Sequence, residues 1–127
     1  MLLVDTQLLL WAAFDPTRLS PKAAGLLRLR ATPLAFSLAT IWEVAIKTSL
    51  GRPDFSVDPG LLHRALQDEG FVELPIRAAH LVRVANLPWV HRDPFDRLLV
   101  AQAMEEQFTL LTADATLKRY GRFVRVV

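Results

Sequence analysis

Four acidic residues of this chain lie beside apolar runs, where a packed domain rarely places a carboxylate. Asp5 and Asp114 each come directly after a short apolar run. Glu43 lies within an apolar helical pattern, and Asp96 begins another. Burying an unpaired carboxylate costs on the order of several kcal/mol unless a cation compensates it. We interpret the four residues together as ligands of one shared divalent metal ion.

The order of predicted elements indicates how these residues would meet. Strands are predicted at residues 1–4, 33–37, 71–74, 109–112 and 123–127. Helices are predicted at residues 6–14, 21–30, 38–50, 60–69, 77–86, 94–107 and, as a short one, 115–120. Three of these helices begin with a cap residue followed by proline, a helix-start signal, at Ser20, Asp58 and Asp93.

Apolar strands that alternate with helices indicate an α/β protein with a mainly parallel sheet covered on both faces. The 127 residues fit a single domain, residues 1–127. Ligands of such sheets bind beyond the carboxyl ends of the strands. Asp5 and Asp114 lie there directly, and the helices that carry Glu43 and Asp96 begin near the same edge. The sequence therefore predicts one acidic site at one edge of the sheet.

Each acidic residue also has an alternative interpretation. Asp5 and Asp114 would serve as helix caps or turn residues. Glu43 precedes Lys47 by four residues, a spacing at which exposed pairs add a few tenths of a kcal/mol (about 0.2–0.5). Glu43 nevertheless shares a helix face with apolar residues, and Asp96 stands at the head of an apolar stripe. Taken singly, none of the four is a strong signal, whereas their joint placement is.

Composition limits the class of protein. The chain is 52% hydrophobic, yet no apolar stretch approaches the roughly 20 residues of a membrane span. Asp5 interrupts the N-terminus, so we expect no secretory signal and a cytoplasmic protein. The apolar surplus favours self-association, with the helices between residues 6 and 30 as the first candidate interface. The chain has no cysteine, which excludes disulfides, thiolate metal sites and thiol nucleophiles.

We interpret the histidines and tryptophans of the chain as structural residues. No metal-ligand spacing connects the histidines, which we interpret as non-catalytic: His63, His80 and His91. His91 is the one that lies next to the candidate site in the sequence. The tryptophans are interpreted as core or interface residues and not as platforms for nucleobases: Trp11, Trp42 and Trp89. A net charge of +2 does not by itself indicate nucleic-acid binding.

Four segments of the chain resemble the motifs of a known family. The segments 2–6 (LLVDT) and 37–47 (SLATIWEVAIK) resemble the first two motifs of PIN-domain ribonucleases. The segments 91–103 (HRDPFDRLLVAQA) and 111–114 (LTAD) resemble the remaining two. The similarity is greatest to the VapC-type toxins of prokaryotic toxin–antitoxin pairs. It covers nearly the whole chain in the correct order, except that residues 52–89 carry no family motif.

The resemblance implies roles for individual residues. Asp5, Glu43, Asp96 and Asp114 would form the metal site of a three-layer PIN-like fold. The residues expected to support the site or to contact the substrate are Thr6, Arg92, Asp93, Arg97 and Thr112; Asp93 is expected mainly to cap its helix. Gln7 departs from the family, since close relatives often have His at this position.

The expected function follows from this site. Oxygen ligands suit Mg²⁺ or Mn²⁺, and the resemblance implies an Mg²⁺-dependent endoribonuclease that acts as a toxin. Its expected partners are an RNA substrate, a cognate antitoxin and a second copy in a homodimer. Two alternatives remain: a non-catalytic PIN-like interaction module, and another Mg²⁺-dependent α/β phosphotransfer protein. The second is disfavoured because Gln7 stands where such proteins need a second acid.

Overall fold

Five strands and six α-helices alternate along the chain in the computed structural model, which describes residues 1–127. The strands are β1 (Leu2–Val4), β2 (Leu34–Ser37), β3 (Val72–Leu74), β4 (Thr109–Thr112) and β5 (Val124–Val126). The helices are α1 (Thr6–Phe14), α2 (Pro21–Leu29), α3 (Leu38–Ser49), α4 (Pro59–Asp68), α5 (Ala78–Val84) and α6 (Pro94–Glu106). Two 3-10 helices, Pro16–Arg18 and Ala115–Tyr120, complete the chain.

The five strands form one parallel sheet in the order β3-β2-β1-β4-β5. β1 lies at the centre, where Leu3 is in register with Ala35 of β2 and with Leu110 of β4. The chain adds β2 and β3 on one side of β1 and then crosses to add β4 and β5 on the other. All carboxyl ends therefore meet at one edge, and the predicted parallel α/β fold is confirmed.

Both faces of the sheet are covered, because successive side chains of a strand point to opposite faces. Leu3 of β1 packs against α6 in one hydrophobic cluster. Leu2 and Val4 pack against α1, α2 and α4 in a second cluster on the other face. These strand residues are 8% exposed or less, so the predicted three-layer arrangement of helices around an apolar sheet is confirmed.

The predicted cap residues occupy their helix starts. The side chains of Ser20, Asp58 and Asp93 each accept a hydrogen bond from the backbone of the following turn. The segment 115–120 forms a 3-10 helix, and α5 ends at Val84, two residues before the predicted end. Beyond Val84 the backbone N–H groups of Ala85, Asn86 and Leu87 bond to carbonyls three residues back, so the chain continues as a tighter turn and not as an α-helix.

None of the six helices combines the length and the apolar character that crossing a bilayer requires.

Candidate metal centre

The sheet topology brings the two strand-end acids together. Asp5 follows β1 directly, and Asp114 lies two residues beyond β4, the strand paired with β1. Between them, Thr112 donates a hydrogen bond from its hydroxyl to Asp5 Oδ2 and accepts one from the backbone N–H of Asp114 at 3.0 Å. Thr112 therefore ties the two acidic residues to one another at the carboxyl edge of the sheet.

Asp5 is a buried carboxylate with only partial compensation. Its side chain is the N-cap of α1, since Oδ1 accepts a hydrogen bond from the backbone N–H of Leu8 at 2.9 Å. The pKa of Asp5 is raised to about 6. Burial is the main cause, the hydrogen bonds from Thr112 and Leu8 oppose it, and the charges of Asp114 and Glu43 add to it. The conformation in which Asp5 caps α1 therefore also allows its carboxylate to bind a metal ion.

Glu43 faces inward from α3 and is 5% exposed. Its Oε2 accepts a hydrogen bond from Lys47 Nζ at 2.6 Å, while its Oε1 is buried without a hydrogen-bond partner. A buried oxygen without a partner is costly, so native proteins nearly always satisfy it. Lys47 fixes the carboxylate while one oxygen remains free to bind a cation. In addition, the hydroxyls of Thr6 and Thr40 lie 2.9 Å apart and join α1 to α3.

Asp96 lies in the first turn of α6 beside the other acids. The pKa of Asp96 is raised to about 7, mainly by burial and also by the charges of Asp93, Asp5 and Glu43, while the nearby His91 opposes the shift. These contributions connect Asp96 electrostatically to two of the three other predicted ligands. Asp93 itself caps α6, with Oδ1 accepting from the backbone N–H groups of Phe95 and Asp96.

His91 also belongs to this cluster, although the spacing of the histidines along the chain does not indicate a metal ligand. Its Nε2 lies 3.1 Å from Asp114 Oδ2 and 3.6 Å from Asp96 Oδ2. One ligand atom from each of these three side chains lies within 4.8 Å of the others, a spacing compatible with a shared metal ion. The position of His91 two residues before Asp93 was the only signal in the sequence, and it did not reveal the contact with Asp114.

The hydrogen bonds of His91 determine its tautomer. Its Nδ1 accepts a hydrogen bond from the backbone N–H of Asp93 at 3.1 Å. A neutral imidazole that accepts at one nitrogen carries its proton on the other. The Nε2–H group of His91 therefore donates to Asp114 Oδ2 at 3.1 Å, and it lies 3.6 Å from Asp96 Oδ2. In this arrangement His91 orients the carboxylate of Asp114.

The two arginines predicted near the site differ in placement. Arg92 is exposed, whereas Arg97 is 4% exposed. The guanidinium of Arg97 donates to the backbone carbonyls of Pro88 and Val84 at 3.0 and 3.2 Å, and it stacks 4.0 Å from the ring of Trp89. Because its donors are engaged inside the protein, Arg97 supports the loop that precedes α6. A substrate contact by Arg97 does not agree with this placement.

Comparison with known proteins identifies the family. Residues 2–123 match the family model described as PIN domain. The chain belongs to the PIN domain family. Members of this family are nucleases that generally use a divalent metal ion. A search of curated proteins by sequence gives no match.

A solved structure shows the same fold. It is the crystal structure of VapBC2 from Rickettsia felis bound to a DNA fragment from their promoter. The TM-score is 0.71 at 15% sequence identity, and the superposition covers 99% of this chain and 96% of that chain. At this identity the match shows that the two chains share a fold. The PIN resemblance inferred from the four sequence motifs is confirmed.

The donor set of this PIN domain suits a divalent cation. The charges of Asp114 and Glu43 act on Asp5, and those of Asp5 and Glu43 act on Asp96; the pKa values of Asp5 and Asp96 are raised to about 6 and about 7. One buried oxygen of Glu43 has no partner. A cation at this place would remove both the repulsion and the unsatisfied oxygen. Carboxylate oxygens are the ligands that Mg²⁺ and Mn²⁺ favour. The residues present therefore fit the metal that the family uses.

Proposed function

We propose that this PIN domain is an Mg²⁺- or Mn²⁺-dependent endoribonuclease and the toxin of a toxin–antitoxin pair. The observation that carries the nuclease proposal is that Asp5 and Asp96 both feel the charge of Glu43, whose Oε1 is buried without a partner, while Asp5 also feels that of Asp114. Four carboxylates alone would repel a phosphodiester. Together with a cation they form a site that attracts one.

Each acidic residue has a role in the proposed site. Asp5 and Asp96 would bind the metal directly, and Glu43 and Asp114 would bind it directly or through water. A divalent ion in such a site supplies an activated water and neutralises charge on the scissile phosphate. No side-chain nucleophile is then needed, which agrees with the absence of cysteine from the chain.

Two further residues would position the ligands. Lys47 holds one oxygen of Glu43 at 2.6 Å, so that the other oxygen keeps a fixed direction. The Nε2–H of His91 holds Asp114 at 3.1 Å. Groups that orient metal ligands in this way commonly change metal affinity or activity by about 10–100-fold when they are removed.

The proposed partners are an antitoxin and a second copy of the chain. The structural neighbour is a VapBC2 complex, which supports an antitoxin partner by fold analogy. The carboxylates offer a receptor for an Arg or Lys of that partner through charge-assisted hydrogen bonds. The helices between residues 6 and 30, predicted to lie at an interface, line a mostly apolar groove of about 710 Å³ together with α4. This groove lacks the acidic cluster, so it suits a protein partner better than a phosphodiester.

RNA cleavage with mapped products tests the nuclease proposal. Purified protein is incubated with total RNA in Mg²⁺ or in EDTA, and new 5′ ends are mapped. We expect discrete cleavage in Mg²⁺ and none in EDTA. Cleavage that persists in EDTA would contradict the metal-dependent mechanism. Intact RNA in both conditions would instead favour the non-catalytic interaction module.

Growth assays test the toxin proposal separately. Expression of the chain alone should arrest growth, and co-expression of the neighbouring reading frame should restore it. A harmless wild-type chain that does not bind its neighbour would refute the toxin role while leaving the nuclease proposal intact.

A further inference from the structure

Trp42 is exposed beside the acidic site, although it belongs to a helix that is otherwise well packed. Its side chain is 52% exposed, while the next two residues of α3, Glu43 and Val44, are 5% and 0% exposed. Large aromatic side chains contribute most when they are buried. An indole left in solvent next to a buried metal ligand therefore calls for a binding partner.

The ring of Trp42 is held at the contact between α3 and α6, the two helices that carry Glu43 and Asp96. Its ring packs edge-to-face against Phe95 of α6, with 4.9 Å between the centroids and an interplanar angle of 73°. Trp42 directly precedes Glu43, and Phe95 directly precedes Asp96. The pair thus bridges the two helices that carry two of the four acids. Because Phe95 occupies only an edge-to-face position, indole surface remains open to a flat ligand.

We propose that Trp42, supported by Phe95, is the stacking site for one unpaired RNA base next to the scissile phosphate. This inference rests on the proposed nuclease function and adds how the substrate is held. Sequence-tolerant binding of single-stranded RNA depends on aromatic side chains that stack on bases near a cationic or metal-bound backbone. The acidic site would bind the phosphate through its metal, and the adjacent indole would bind the base.

Lys47 offers a second contact for the RNA phosphate, in addition to the acidic site. Lys47 lies one helical turn beyond Glu43, and its side chain is 40% exposed. It therefore retains solvent-facing surface while it pairs with Glu43. Lys47 shares a helix face with Glu43 at a spacing of four residues, so a phosphate at the acidic site would meet this cation as well. A cation there favours RNA over an uncharged aromatic ligand.

Substitution of Trp42 combined with an abasic substrate tests the proposal. The substrate is a single-stranded RNA with one mapped cleavage site, prepared unmodified and with one abasic nucleotide on either side of the scissile bond. On unmodified RNA, Trp42→Leu should raise KM roughly five- to hundredfold, the loss that removal of one base–aromatic stack produces. Trp42→Phe keeps an aromatic face and should recover most of the affinity.

The abasic substrate separates stacking from a general change in the protein. Wild-type protein should lose affinity for one of the two abasic RNAs, and Trp42→Leu should lose nothing further on that RNA. Equal KM values for wild-type and Trp42→Leu on unmodified RNA would overturn the stacking site. An equal loss by Trp42→Leu on unmodified and abasic RNA would overturn it as well.

A second tryptophan provides a matched control. Trp89 is 80% exposed, but the guanidinium of Arg97 already covers its ring at 4.0 Å. Trp89→Leu should therefore leave KM unchanged. Light scattering on all variants tests whether Trp42 lies instead in a contact between two copies, which a lower mass for Trp42→Leu would show and which would refute the proposal. If wild-type protein cleaves no RNA, the nuclease function itself fails, an outcome distinct from all of these.

Discussion

Two polar clusters of this protein differ in how their charges are compensated. The first is the candidate metal centre at the carboxyl edge of the sheet. The second, the α5–α6 cluster, consists of Arg77, His80, Gln102 and Glu106. There His80 is fully buried, its Nδ1 accepts from the backbone N–H of Arg77 at 3.0 Å, and its Nε2 donates to Glu106 Oε1 at 2.9 Å. Both ring nitrogens of His80 therefore have a hydrogen-bond partner.

The pKa shifts of the two clusters have opposite signs. The hydrogen bonds from Arg77 and His80 hold the pKa of Glu106 below its usual range. At the candidate metal centre, burial together with neighbouring carboxylates raises the pKa of Asp96 to about 7. A compensated carboxylate contributes to the stability of the fold, whereas an uncompensated one reduces it. The comparison indicates that Glu106 serves stability and that Asp96 serves function.

The largest expected effect is the loss of cleavage in Asp96→Asn. Asparagine keeps the shape of the side chain and removes its charge, so the metal would lose a ligand. Because a bound ion contributes several kcal/mol to the transition state, cleavage should fall on the order of a thousandfold. The measurement is kcat/KM in Mg²⁺, with circular dichroism as the control for folding. Wild-type cleavage by this variant would remove Asp96 from the metal site.

His91→Ala should have the next largest effect. The variant removes the Nε2–H donor that lies 3.1 Å from Asp114 Oδ2. We expect Mn²⁺ affinity or kcat/KM to fall by roughly 10–100-fold. Calorimetry of Mn²⁺ binding measures the effect independently of cleavage. His91→Gln, which retains an N–H donor, is expected to recover part of the loss. If both variants bind Mn²⁺ as the wild type does, His91 does not position the ligands.

Glu106→Ala tests the other side of the comparison. It leaves the buried Nε2–H of His80 without its acceptor, which costs about 1–3 kcal/mol in free energy of unfolding. Cleavage should be unchanged. Urea unfolding measures the stability. Glu105→Ala is the matched control, because the partner of Glu105 is Arg83, which is 39% exposed, whereas His80 is fully buried. Such an exposed ion pair is worth about 0–1 kcal/mol. A loss of cleavage without a loss of stability would contradict the assignment of Glu106.

The smallest effect concerns the pH dependence of the metal-free protein. The pKa values of Asp5 and Asp96 are raised from 3.8 to about 6 and about 7 in the folded state. The folded state thus favours the protonated acids, and this stabilisation is complete below pH 3.8 and is lost as the pH rises through 6 and 7. Between about pH 5 and pH 8 the free energy of unfolding should fall on the order of 1–2 kcal/mol.

Thermal denaturation in EDTA at the two pH values measures this fall. Asp96→Asn should reduce it, because one of the two shifted carboxyls is absent. Mg²⁺ should raise the melting temperature most at the higher pH, where the acids are ionised. A melting temperature in EDTA that rises with pH would contradict the uncompensated cluster.

Much of the fold was determined by local features of the sequence. The cap residues Ser20, Asp58 and Asp93 fixed helix starts, because a side-chain acceptor and the N–H groups that it satisfies lie within three residues of each other. The apolar strands and the parallel topology followed from the alternation of elements, and the α1 bounds of Thr6–Phe14 agree with the prediction. The placement of the four acids near one edge followed from that topology.

The tertiary structure decided which side chains complete the site. His91 and Asp114 are separated by 22 residues of sequence, so no local spacing could reveal their contact at 3.1 Å. Arg97 is buried because its guanidinium donates to the carbonyls of Val84 and Pro88, which come within its reach only when α5 packs on α6. Helix periodicity gives the face of a residue but not its partner on another element. The partner depends on the distances between packed elements, which only the folded chain defines.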